Sequence, residues 1–124
     1  MCAQIRKQLP ILDTRALERT AAYLTPEAVI VYLRTLADLG ETLLCGLHTP
    51  GALTRTGDAL ADAAHKLAGS AAMFGFERVA AAARKFEHAV QAGAADAPAM
   101  ADSLGAAVEA TCKEIHARTQ RSRW

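Results

Sequence analysis

The chain has 124 residues, enough for one domain with a real core and not enough for a second enzyme domain. Hydrophobic residues make up 52% of it, much of that alanine, and aromatics only 5%, which argues against a sheet protein and for closely packed helices. A net charge of +1 provides no general attraction to nucleic acid or to a membrane surface, so partner choice has to come from a local surface.

Cys2, Cys45 and Cys112 are widely separated and odd in number, which suits reduced, inert thiols in the cytosol better than a disulfide framework. The N-terminus lacks the apolar run of a signal peptide, and no segment approaches the roughly 18 to 20 apolar residues that span a bilayer. A cytoplasmic protein is expected.

Residues 1–10 are polar and read as a flexible segment. Ile11-Leu12-Asp13 then leads into a short helix that holds Leu17 and ends near Tyr23 or Leu24. Thr25-Pro26-Glu27 is a strong start signal, because threonine caps, proline suits the first helical position and glutamate complements the positive end of the helix. The helix that follows runs to about Leu47, with Val29, Leu33, Leu36, Leu43 and Leu47 inward, and His48-Thr49-Pro50-Gly51 breaks it.

A third helix begins between Leu53 and Asp58, and Leu60, Ala64, Leu67, Ala71 and Phe74 recur along it at three- and four-residue steps, forming one buried stripe. Gly75 is expected as its cap at positive φ. A fourth helix spans about Glu77 to Gln91 with Val79, Ala83, Phe86 and Val90 inward. After the break from Gly93 to Pro98, Asp96 is placed to cap a last helix carrying Met100, Leu104, Val108, Thr111 and Ile115 on one side. Lys113, Arg118, Arg121 and Arg123 favour its C-terminal end, and residues 120–124 form a tail. The pattern is all-α: an antiparallel up-and-down four-helix bundle over residues 11–119, with a short additional N-terminal helix covering one end.

His65 is off the buried stripe. At about 100° per residue its direction lies roughly 140° from the stripe's mean, so the imidazole should face solvent. Ala61, Ala68, Gly69 and Ala72 lie a turn or two from it and are expected to form a flat platform of small side chains. Gly69 adds weight, since a glycine inside a helix costs about 1 kcal/mol relative to alanine. A missing side chain there would let a partner backbone approach the ring.

The run His65-Lys66-Leu67-Ala68-Gly69-Ser70, with Gly75 and then Val79, Ala83 and Phe86-Glu87 on a second amphipathic helix, resembles the histidine phosphotransfer (HPt) domain of two-component phosphorelays. That family's pattern is a histidine, an apolar residue two on, often a lysine three on, a glycine four on and a small residue five on. Four of these five features are present. The departure is Ala68, where many members carry lysine, and Lys66 lies about 100° round the helix from His65.

The resemblance implies that His65 is phosphorylated by a receiver-domain aspartate and passes the phosphoryl group to another receiver domain. It implies response-regulator receivers and a hybrid sensor kinase as partners, and magnesium on the partner receiver with no stably bound cofactor here. The residues are consistent with this. An exposed, neutral imidazole can attack phosphorus, whereas no P-loop, kinase-type nucleotide signature or acidic metal cluster accompanies it. The chain is expected to draw no phosphate from ATP by itself, to bind no metal or nucleic acid, and to be a monomer.

Around His65, Glu87 and Gln91 lie one turn apart on the next helix and are candidates to hydrogen-bond the ring or its phosphate; a plain solvated face is the alternative. Asp58 and Asp62 share the outer face, and Asp62, one turn from a group carrying roughly two negative charges when phosphorylated, would make it a readier donor. His48, His88 and His116 read as surface residues, and Cys45-x-x-His48 is half of a zinc pattern without a second half. Two other function classes remain open: an HPt-like binding module that carries no phosphate, and a plain helical scaffold.

Overall fold

A computed structural model of the protein describes residues 9–121, and every regular element among them is a helix. Residues 1–8 and 122–124 lie outside the described residues, and with them Cys2, Arg123 and most of the two terminal segments.

Helix α1 (Thr14–Ala21) starts on Asp13, whose Oδ1 accepts from the backbone N–H groups of Arg15 and Ala16 at 3.0 and 3.3 Å. Helix α2 (Pro26–Leu47) begins where the Thr-Pro-Glu signal puts it, with Thr25 Oγ1 accepting from the Ala28 N–H at 3.1 Å. Helix α3 (Ala52–Arg55) is a separate single turn that follows the break read at His48 to Gly51 and overlaps the stretch from Leu53 to Asp58 where one longer helix was expected to begin. Its hold is local: Gly51 turns the chain at φ +72°, and the hydroxyls of Thr54 and Thr56 donate back to the Gly51 and Ala52 carbonyls, each at 2.9 Å. Helices α4 (Gly57–Met73), α5 (Glu77–Gln91) and α6 (Ala97–Arg121) complete the chain.

The four long helices close into a ring in which α4 packs on α2 and α5, and α6 packs on α2 and α5. Their inward faces supply Val29, Leu33, Leu36 and Leu43, then Leu60, Ala64, Leu67 and Ala71, then Val79, Ala83 and Phe86, then Leu104, Val108 and Ile115, all buried in one core. Each large apolar side chain so buried is worth about 1.5 to 3 kcal/mol. Leu47, Val90 and Met100, expected inside, are only partly covered because they sit near helix ends. Alanines at the α4–α5 contact, including Ala64, Ala68, Ala71, Ala80 and Ala83, are short enough to let these two helices lie close together.

Gly75 fixes where α1 sits. Its φ is +86°, and a Cβ there would stand 2.6 Å from the Asp13 carbonyl oxygen. In its absence Asp13 donates its N–H to the Gly75 carbonyl at 2.7 Å, while Thr20 Oγ1 donates to the Met73 carbonyl at 2.7 Å. These two bonds clamp α1 across the end of α4, with Leu17 fully buried beneath it. The last residues of the expected flexible segment are also tied down: Arg78 donates from Nε to the Leu9 carbonyl at 2.8 Å and from its backbone N–H to that of Pro10 at 3.2 Å.

Candidate functional site

His65 projects from the outer face of α4, with its side chain 74% exposed. Two flanks of that helix differ. On one side, about 20° to 100° round from His65, stand Asp58, Asp62, Gly69, Met73 and Lys66, all exposed. On the other side the helix turns into the seam with α5, and there Ala61 and Ala68 are buried at 2% and 3% exposure.

The expected platform is therefore corrected. Ala61 and Ala68 belong to the core flank, because α4 packs against both α2 and α5 and its buried arc reaches beyond the five-residue stripe almost to His65. The open surface next to the ring is made by Gly69 and Ala72, with Asp62 and Lys66 at its edge. Beyond the local helix backbone and the adjoining residues, nothing lies within 4 Å of the place a Gly69 Cβ would occupy, so packing against other parts of the fold does not require a glycine there.

From the seam, Glu87 on α5 reaches the ring. His65 Nδ1 lies 3.2 Å from Glu87 Oε1 and 3.1 Å from Oε2, and the glutamate side chain is only 16% exposed. An ionised carboxylate can only accept, so Nδ1 carries the proton. In the neutral ring this leaves the lone pair on Nε2, the nitrogen on the far side from Glu87. Gln91 takes a different place from the one considered for it: its Nε2 donates to Glu87 Oε2 at 3.3 Å, so it steadies the carboxylate rather than the ring. Of the two acids on the exposed face, Asp62 lies a turn from the ring and Asp58 further off, and among the described residues no lysine or arginine is ion-paired at this site.

The remaining histidines are apart from this arrangement. His48 caps α2, His88 is exposed on α5, and His116 Nε2 pairs with Gln120 Nε2 at 3.1 Å on α6. Among the described residues no cluster of three histidine, cysteine or carboxylate side chains is placed to hold a metal. Sequence reading missed one surface altogether, an apolar groove of about 440 Å³ lined by Arg19, Thr20, Tyr23, Leu24, Tyr32, Met73 and Phe74. Its only sequence signal is large apolar side chains, Tyr23, Tyr32 and Met73, at positions the helical pattern turns outward.

The family model of the Hpt domain matches residues 27–118, from the first turn of α2 to near the end of α6. The chain belongs to the Hpt domain family. No curated protein and no solved structure gives a significant match. Hpt domains serve histidine phosphotransfer in phosphorelays and interact with response-regulator receiver domains. In this Hpt domain no helix among the described residues is long and apolar enough to cross a membrane. The matched span contains all four long helices apart from Pro26 and the last three residues of α6, and it contains both His65 and Glu87.

Proposed function

We propose that His65 is the phosphorylated residue, taking the phosphoryl group from the aspartyl phosphate of one receiver domain and yielding it to the aspartate of another. The observation that carries this reading is the pairing of an exposed imidazole with a mostly buried carboxylate on its Nδ1 side, which leaves Nε2 free and outward.

In the forward step the Nε2 lone pair attacks phosphorus in line, a P–N bond forms, and the P–O bond to the aspartyl carboxylate breaks with the electron pair leaving on that oxygen. The ring gains positive charge while its Nδ1 proton stays shared with Glu87, so no proton has to be removed from the nucleophile. In the return step a second receiver's carboxylate attacks phosphorus and the P–N electron pair goes back to Nε2. Charge neutralisation is left to the magnesium of the partner receiver, and Asp62, one turn away, repels the phosphoryl group and favours its departure.

We read the ring of helices as an antiparallel up-and-down bundle, since the links between the long helices are short for chains that must reverse direction. The protein is proposed to act as a cytoplasmic monomer between a hybrid sensor kinase and a response regulator. Incubation with a receiver phosphorylated by acetyl phosphate tests the reading. Acid-labile, base-stable phosphate on this chain supports it; absence of such label from receivers and from phosphoramidate alike would contradict it.

A further inference from the structure

On the phosphotransfer reading, the phosphorylated ring stands free of any partner between its two exchanges, and the receiver's magnesium then no longer balances its charge. A phosphoryl group on Nε2 carries roughly two negative charges. Asp62 lies one turn away, and position 68, where many members of the family carry a lysine, is an alanine at 3% exposure in the seam with α5. The one lysine or arginine of α4, Lys66, stands about 100° round the helix from His65, on the flank away from α5 and one turn from Asp62, its natural i,i+4 partner. Helix α4 therefore supplies no cation beside the ring.

Helix α5 does. It starts shortly after α4 ends and packs along it, so the chain doubles back, and the contact between His65 and Glu87 sets the register of the pair. Arg84 is three residues nearer the turn than Glu87, about 4.5 Å along α5, which brings it level with Ala68, three residues nearer the turn than His65 on α4. It lies about 60° round α5 from Glu87, on the same exposed edge as Gln91. The side chains between it and the ring are small: Ala68 and Ala80 fill the seam, and Gly69 and Ala72 border it. Arg84 is one turn from Glu87, about 5 to 6 Å between Cβ atoms, a distance that Arg118 spans to reach Glu114 on α6.

Arg84 is exposed and, among the described residues, has no ion pair. The acid one turn away, Glu87, is already shared by His65 Nδ1 and Gln91 Nε2. The other cations of α5 are turned elsewhere: Lys85 lies about 160° round the helix from Glu87, and Arg78 is bonded to the Leu9 and Pro10 carbonyls.

We infer that Arg84 holds the phosphoryl group of the phosphorylated chain, its guanidinium donating to the phosphoryl oxygens on His65 from α5 in place of a lysine at position 68. This rests on the phosphotransfer reading above. The planar fork of arginine matches phosphate oxygens. Gln91 takes part, since by occupying Glu87 it leaves Arg84 unpaired until the phosphoryl group arrives. Arg84 and Asp62 then act on that group from opposite flanks of His65, one holding it and the other repelling it.

The test labels the full chain with phosphoramidate, which needs no receiver, removes the donor and follows loss of the acid-labile phosphate. Arg84→Ala should shorten the half-life about two- to fivefold at low salt, the scale of one partly exposed ion pair. The difference should vanish near 1 M salt, where the Debye length is about 3 Å. Arg84→Lys should recover most of the half-life, and Lys85→Ala, which removes the same charge from the far side of α5, should leave it unchanged. Position 84 is exposed, so the thermal midpoint of the unphosphorylated variant should stay within a few degrees of wild type. An unchanged half-life in Arg84→Ala would overturn the assignment, as would a shortening that salt does not remove, one that Arg84→Lys does not relieve, or a larger one in Lys66→Ala. If wild type takes up no more label than His65→Gln, the phosphotransfer reading itself fails and takes this inference with it; labelled wild type with an unaffected Arg84→Ala removes only Arg84.

Discussion

Glu87 on α5 holds His65 on α4 by the ring's Nδ1, with both carboxylate oxygens within 3.2 Å of that atom. The helices that meet here lie close together through alanines, and Gln91 one turn further along α5 donates to the same carboxylate. A surface histidine is thereby held by one ring nitrogen, the arrangement that the proposed role of His65 as a nucleophile meeting phosphorus in line would need.

Replacing Glu87 with alanine should slow transfer from a phosphorylated receiver about 10- to 100-fold, the usual scale for losing a group that orients a reacting one. Glu87→Gln should restore most of the rate, because its amide carbonyl still accepts from Nδ1–H. The ¹⁵N shifts of His65 give the decisive readout: the wild-type neutral ring should be protonated at Nδ1, and the alanine variant should move toward the Nε2–H form. A wild-type ring already in that form would refute the role given to Glu87.

Gly69→Glu tests whether the open face is a docking surface. Beyond the local helix backbone and the adjoining residues nothing lies within 4 Å of the new Cβ, and replacing a helical glycine stabilises by up to about 1 kcal/mol, so the thermal midpoint should hold or rise. Transfer from a receiver should nevertheless fall by orders of magnitude through bulk and charge beside Nε2. Phosphoramidate, which needs no backbone approach, should be affected less. Unchanged receiver transfer would remove Gly69 from the interface.

Gly75→Ala should act on stability. The residue lies at φ +86° and its added methyl would meet the Asp13 carbonyl at 2.6 Å, so either the turn or the seat of α1 must move. A loss of at least about 1 to 3 kcal/mol is expected in urea denaturation. A variant as stable as wild type would show that α1 does not depend on this contact.

Burial, then the carboxylates of Glu41 and Asp38, push the Cys112 thiol up to about 11. Its Sγ–H points to the Ala37 carbonyl at 3.7 Å, whereas Cys45 is exposed. In a Cys2→Ser background, iodoacetamide at pH 8 should modify Cys45 well before Cys112. Because the folded state raises this acid's pKa, its contribution to stability is complete below the unfolded thiol value of about 8.5 and is lost as pH rises toward 11. Cys112→Ser should flatten the stability profile over that window.

Much of the fold was legible because its signals are local. Thr25-Pro26-Glu27 starts α2 at Pro26, and the bounds of α5, Glu77 and Gln91, follow from its periodicity and the glycines on either side. Helix α3 was not legible, since four residues are too few to show a period and its hold comes from threonine hydroxyls bonding back to carbonyls. Ala61 and Ala68 were misplaced for another reason: an alanine carries no pattern of its own, and how far the buried arc of α4 extends depends on where α5 lies. The Tyr23–Tyr32–Met73 groove brings the α1–α2 turn and the start of α2 against the end of α4, far along the chain, which no single helical period can bring together.

The most direct measurement compares wild type with His65→Gln after incubation with a phosphorylated receiver, reading both acid-labile label and thermal midpoint. His65 is exposed, so the variant should melt within a few degrees of wild type, a surface change being worth about 0.5 kcal/mol or less. The account predicts that it takes up no phosphate while wild type is labelled on Nε2. Equal labelling of a folded His65→Gln variant would contradict it.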